Sequence, residues 1–254
     1  MSEFVRRLEQ TSRVKSQPLG FGVANRVKSL PLIVVAEMRE INAEAIGAAV
    51  DAKADALLFN LADPVGQADT LGHAVPSGEM IPWGVRLQTC EVEGVSKLIE
   101  SGCDYIVIAA ETPAQILADE KLGKVIESDT SMSDGLAKSL EDIRVDALMI
   151  VDARGWAPLT VGQLMHCQRL TAFSRKPALV RLAGSCGDLE PLWDAGVRGL
   201  VVEMRGENSM ALMRSVREAI EKLPGSNNRP GKAPRPLLPH VSIAREREGG
   251  QKGC

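Results

Sequence analysis

Four charged residues stand where aliphatic runs would otherwise continue with Val or Leu. They are Glu37 in Val34-Val35-Ala36-Glu37, Arg86 in Trp83-Gly84-Val85-Arg86, Glu127 in Val125-Ile126-Glu127 and Arg181 in Leu179-Val180-Arg181. Acid and base alternate in chain order. If all four face one interior, two chemistries follow. The arginines can grip an anionic substrate, because a guanidinium matches carboxylate and phosphate oxygens in pairs, while a carboxylate serves as general base or metal ligand. Alternatively the four neutralise one another as a buried ionic ring. Desolvation makes such a ring a poor stabiliser, so it needs a specificity role or a functional one.

Other polar residues follow similar runs: Asn60, Gln88, Glu111, Asp129, Asp152, Glu203 and Arg205. Glu37, Glu127 and Asp152 are the candidate catalytic groups, and Arg86, Gln88, Arg181 and Arg205 the candidate substrate ligands. Glu111, Asp152 and Glu203 form a candidate metal set, since Mg²⁺ and Mn²⁺ take oxygen ligands. Several mechanisms find no support. Lys124 stands at the start of its run rather than inside it, which argues against Schiff-base chemistry. His73, His166 and His240 form no metal or triad spacing, and there is no P-loop or dinucleotide fingerprint. Cys90 and Cys186 lack a partner histidine, so a thiol nucleophile is a weak reading. Trp156 is an aromatic in a loop, better suited to packing than to stacking on substrate.

The elements that must position these groups are marked by a repeated phrase. Ala54-Asp55-Ala56-Leu57-Leu58-Phe59, Cys103-Asp104-Tyr105-Ile106-Val107-Ile108, Val145-Asp146-Ala147-Leu148-Met149-Ile150 and Val197-Arg198-Gly199-Leu200-Val201-Val202 recur at roughly one quarter of a (β/α)8 barrel. Pro31, Pro82 and Pro177 introduce three of the intervening runs. The pattern predicts strands at 32–38, 55–61, 82–88, 104–110, 123–128, 146–152, 178–183 and 199–204. Helices are predicted at 91–101, 161–173 and 208–223 from apolar residues at helical spacing. Thr112 with Gln115, and Thr160 with Gln163, have capping-box spacing, and Pro113 suits a first helical position.

Eight strands alternating with helices predict an α/β fold, a (β/α)8 TIM barrel over 31–223. Residues 1–30 read as an N-terminal extension, with a short helix at 3–14 that can cover one barrel end. Residues 61–80 read as a long irregular loop suited to a lid. Residues 224–254 carry six basic and two acidic side chains among Pro and Gly, the composition of a disordered tail. In this fold chemistry collects at the C-terminal strand ends, which separates the charged set above from Asp55, Asp104 and Asp146 at the strand starts. Those three read as structural.

Composition narrows the setting. A net charge of −3 gives no reason to expect nucleic acid as a partner. Five cysteines without CxxC spacing read as reduced thiols, and the charged N-terminus lacks the apolar segment of a secretory signal, so a cytoplasmic protein is expected. No run is apolar enough to span a membrane. A homo-oligomer is open to the chain.

Gly184-Ser185-Cys186-Gly187-Asp188-Leu189, followed by Ala195-Gly196-Val197-Arg198-Gly199-Leu200-Val201-Val202, resembles the closing quarter of the phosphate-binding (β/α)8 barrels. That superfamily includes small-molecule synthases, epimerases, decarboxylases and some flavin enzymes. The resemblance implies phosphate held by backbone N–H groups near Gly184 and Ser185, by the following loop and by a short helix N-terminus. The chain departs from the pattern at Glu203-Met204-Arg205-Gly206, where small residues are usual; Arg205 can offset the glutamate. The resulting expectation is a lyase- or isomerase-type enzyme acting on a small anionic, phosphate-bearing metabolite. The competing expectation is a barrel without catalysis that serves as a binding or scaffold protein.

Overall fold

Side chains alternate between two destinations along eight short parallel strands, and that alternation organises the molecule. The structure, a computed structural model, describes residues 2–12, 31–75, 81–88, 92–153, 155–156, 158–182, 187–206 and 208–223. The strands are β1 (Ile33–Met38), β2 (Ala56–Phe59), β3 (Trp83–Arg86), β4 (Tyr105–Ile108), β5 (Gly123–Asp129), β6 (Ala147–Val151), β7 (Ala178–Leu182) and β8 (Val197–Glu203). They form a closed barrel in sequence order, with β8 pairing back onto β1. Each expected strand is present within a few residues of its expected bounds.

The helices are α1 (Glu3–Ser12), α2 (Ala43–Asp51), α3 (Ala68–Ala74), α4 (Val92–Glu100), α5 (Asp134–Ser139), α6 (Val161–Ser174), α7 (Glu190–Asp194) and α8 (Ser209–Lys222). Outward-facing Val34, Leu57, Phe59, Ile106, Leu148, Val180 and Leu200 pack under α2–α8 in one core. Inward-facing Ile33, Val35, Leu58, Tyr105, Val107, Val125, Met149, Leu179 and Val201 form a second core inside the barrel. Strands buried on both faces explain why these runs are continuously apolar rather than alternating.

Helix α1 closes the N-terminal end of the barrel. Phe4, Val5 and Leu8 join the interior core, and Phe4 stacks on Tyr105 with ring centroids 4.0 Å apart. The Tyr105 hydroxyl donates to the Leu57 carbonyl oxygen at 2.7 Å. Gly84 makes room for the Tyr105 ring, since a Cβ there would lie 2.7 Å from two ring carbons. Asp104 anchors the helix: its carboxylate accepts from Ser2 Oγ at 2.7 Å and from the Glu3 and Phe4 N–H groups at 2.8 Å each. These donors belong to the first turn, where no intrahelical acceptor exists. Asp55 accepts from the Val34 N–H at 2.7 Å, and Asp146 from the Lys124 N–H at 2.8 Å. All three repeated aspartates thus tie up backbone donors at the bottom of the barrel, as their position at the strand starts implies.

The Thr160–Gln163 capping box is formed, with the Gln163 N–H donating to Thr160 Oγ1 at 3.2 Å and the Thr160 N–H to Gln163 Oε1 at 3.0 Å. The Thr112–Gln115 spacing does not form one. Pro113 precedes a five-residue 3-10 helix, Ala114–Ala118, with no side-chain cap, so Thr112 has no α-helical first turn to cap. The 61–80 segment also differs from expectation. Its centre is α3, which packs beside α4 in the outer ring. Only Ala68 and Leu71 of α3 are buried, so its apolar periodicity rests on two residues and is weak in sequence. Residues 76–80 and 224–254, on which the lid and tail expectations also rest, lie outside the described residues.

Candidate active site

Strand parity carries the charged residues into the barrel mouth. In β1, Ile33 and Val35 belong to the interior core, and Glu37 is next in that inward series. Val125 precedes Glu127 in the same way, and Leu179 precedes Arg181. Period-two alternation therefore places them in one layer above the apolar interior.

The four charges meet as two forked pairs. Arg181 Nε donates to Glu37 Oε2 at 2.6 Å, and its Nη2 donates to Glu37 Oε1. Arg86 Nε donates to Glu127 Oε2 at 2.9 Å, and its Nη2 to Glu127 Oε1 at 2.6 Å. Asn60 Nδ2 adds a third donor to Glu37 Oε1 at 3.0 Å. Glu37 is 0 % exposed, whereas Arg181, Arg86 and Glu127 keep 25 %, 23 % and 18 % of their side-chain surface. Each pair joins next-but-one strands, β1 to β7 over β8 and β3 to β5 over β4, and closure of the sheet brings Glu37 to Arg181, 144 positions away. Neither Nη1 makes a hydrogen bond among the described residues.

The other candidates occupy the rim. Asp152, beyond β6, accepts from Gln163 Nε2 at 3.1 Å, so the capping-box glutamine of α6 also orients a carboxylate at the mouth. Gln88 and Arg205 are exposed. Gly184 and Ser185, with Cys90 and Cys186, lie outside the described residues. Asp129 is held below the usual carboxylate range by the hydroxyl and N–H of Ser131, which makes it a turn-forming anion rather than a base. In the sequence Asn60 reads only as a polar strand end; its hydrogen bond to Glu37 depends on the register of β1 against β2.

The expected metal set is not assembled. Glu111 is exposed, and Glu203 Oε1 lies 2.7 Å from Arg39 Nε, an ion pair without hydrogen-bond alignment. Among the described residues, no group of three or more His, Cys, Asp or Glu is placed to hold a metal ion. The carboxylates come from strands four, six and eight, and side-chain partners in their own neighbourhoods hold Asp152 and Glu203 apart. Lys124 is buried, but its ammonium donates to the carbonyl oxygens of Asp119 and Leu122 at the opposite end of the barrel.

Burial raises the Cys103 and Cys167 thiols to about 12. Both should resist iodoacetamide at pH 8 in the native protein and react only after unfolding, as read by peptide mass spectrometry. Labelling of either in the native state at the rate of an exposed thiol would contradict their placement.

Among solved structures, the chain is similar to thiamine phosphate pyrophosphorylase from Pyrococcus furiosus. The TM-score is 0.59 at 14 % identity, over 75 % of this chain and 96 % of that one. A variant of the tryptophan synthase alpha-subunit from Pyrococcus furiosus gives 0.59 at 14 % identity, over 75 % and 97 %. A protein from Aquifex aeolicus gives 0.60 at 12 % identity, over 86 % and 99 %. The likeness is one of fold. No family model matches the chain, and no curated protein does. No helix among the described residues is long and apolar enough to cross a membrane.

Proposed function

We propose that the protein binds a small anionic, phosphate-bearing metabolite at the C-terminal mouth of the barrel and acts on it by acid/base chemistry. The observation that carries this reading is the pair of fixed, partly exposed guanidiniums in the mouth layer. Each is locked by Nε and Nη2 onto a glutamate, which pre-orients the remaining edge towards the opening. Such an edge binds an oxyanion without the entropy loss of ordering a free arginine. Arg205 and Gln88 extend the polar rim. Glu37 and Glu127, each doubly hydrogen-bonded to arginine, serve as positioning residues. Asp152, oriented by Gln163, is the group that moves the proton. The fold likeness to thiamine phosphate pyrophosphorylase supports a phosphate-bearing substrate.

The complete mutual pairing of the four charges favours a second reading, a barrel that binds without catalysis. Calorimetric titration with inorganic phosphate and with glycerol 3-phosphate tests the first. Saturable binding should weaken at least tenfold in Arg181→Lys, which keeps the charge and loses the fork. Absence of saturable binding of either probe to the wild-type chain would rule out the anion site and leave the second reading.

A further inference from the structure

The four mouth charges follow a two-fold pattern set by strand order and register. In the closed ring β1 lies opposite β5, and β3 opposite β7. A half-turn about the barrel axis therefore carries the Glu37–Arg181 pair onto Glu127–Arg86. Arg86 is in register with Val107 and, through it, with Val125, two residues before Glu127. Arg181 is in register with Val201 and, through it, with Val35, two residues before Glu37. The same step leads from Glu37 through Leu58 and Gly84 to Arg86, and from Glu127 through Met149 and Leu179 to Arg181. About one residue per strand is the stagger of a barrel of this class, so all four side chains start from one height.

A guanidinium has five N–H groups, and each arginine spends two of them on its glutamate. The rest lie on Nη1 and the outer side of Nη2, an edge that takes a carboxylate or phosphate in a forked contact. Both side chains stay partly exposed, so each edge is open to a ligand. Strands about 4.8 Å apart and tilted about 36° close an eight-stranded ring roughly 15 Å across. Arginines entering from opposite sides leave room for a short chain between them. We infer, on the reading proposed above, that the ligand is two-headed: a short phosphorylated carboxylic acid whose phosphate meets Arg181 and whose carboxylate meets Arg86. The more highly charged group goes to the β7 side because exposed Arg205, just after β8, adds a second cation there, while Glu203 is paired with Arg39.

Glycerol 3-phosphate and 3-phosphoglycerate test this by calorimetric titration of the full chain, because the second carries a carboxylate where the first has a hydroxymethyl group. 3-Phosphoglycerate should bind the wild-type chain about tenfold more tightly, the worth of one charge-assisted contact. In Arg86→Lys that preference should fall to about twofold or less, since lysine keeps the cation beside Glu127 but loses the fork. In Arg181→Lys both ligands should weaken and the preference remain. Saturable binding of glycerol 3-phosphate to the wild-type chain with no preference for 3-phosphoglycerate overturns the two-headed ligand and leaves the anion site standing. Binding of neither compound removes both. A preference that survives in Arg86→Lys comes from general charge attraction and also overturns the inference.

Discussion

Arg181→Met should destabilise the protein by about 3–5 kcal/mol, because it strands a fully buried carboxylate without its cation. Glu37 has no exposed surface, and among the described residues Asn60 would remain as its side-chain partner. For a domain of this size the loss corresponds to a fall of about 10 °C in the midpoint of thermal unfolding. Replacing both partners, as Glu37→Leu with Arg181→Leu, should recover most of the loss, since a buried ion pair exchanged for apolar groups is often neutral or better. Arg86→Met should cost less than Arg181→Met, because Glu127 keeps 18 % of its side-chain surface and can be rehydrated. Urea titrations of the single and double variants measure these differences. A double variant no more stable than Arg181→Met would show that the pair itself, rather than the stranded charge, sustains the fold.

Phe4→Ala should cost about 3–5 kcal/mol, the range for removing a buried aromatic side chain. Phe4 is entirely buried, and its ring lies over Tyr105 in the interior core, so the vacated space cannot be filled without moving α1. Asp104→Ala removes the acceptor for Ser2 Oγ and two first-turn N–H groups, and should cost about 1–2 kcal/mol as a lost helix cap. The two changes act through the same seat. Their combination should therefore cost less than the sum, once α1 has detached. Hydrogen exchange of the α1 amides reads the detachment directly. Additive costs with α1 still protected would mean that the helix is held by other contacts.

Much of the barrel was legible because its signals are local. Aliphatic runs, the prolines ahead of them and the repeated aspartates located all eight strands and told their two ends apart. Period-two alternation then made Glu37, Arg86, Glu127 and Arg181 candidates for one layer. Helix α3 was not legible, since two buried residues are too few to carry a period. Thr112 shows the converse limit: the spacing of a capping box was present, but the segment folds as a 3-10 turn with no helix to cap.

What the sequence determined by itself was the barrel, its polarity and the set of charges facing its mouth, because these follow from side-chain period and from residue type. Which acid meets which arginine was decided by tertiary structure alone. Glu37 could have paired with Arg86 on β3 or with Arg181 on β7, both two strands away in the closed sheet, and it meets Arg181. The metal set is not assembled among the described residues: Asp152 accepts from Gln163, and Glu203 pairs with Arg39. Ion pairing depends on distances of a few ångströms between residues far apart in the chain, and only closure of the barrel fixes those distances.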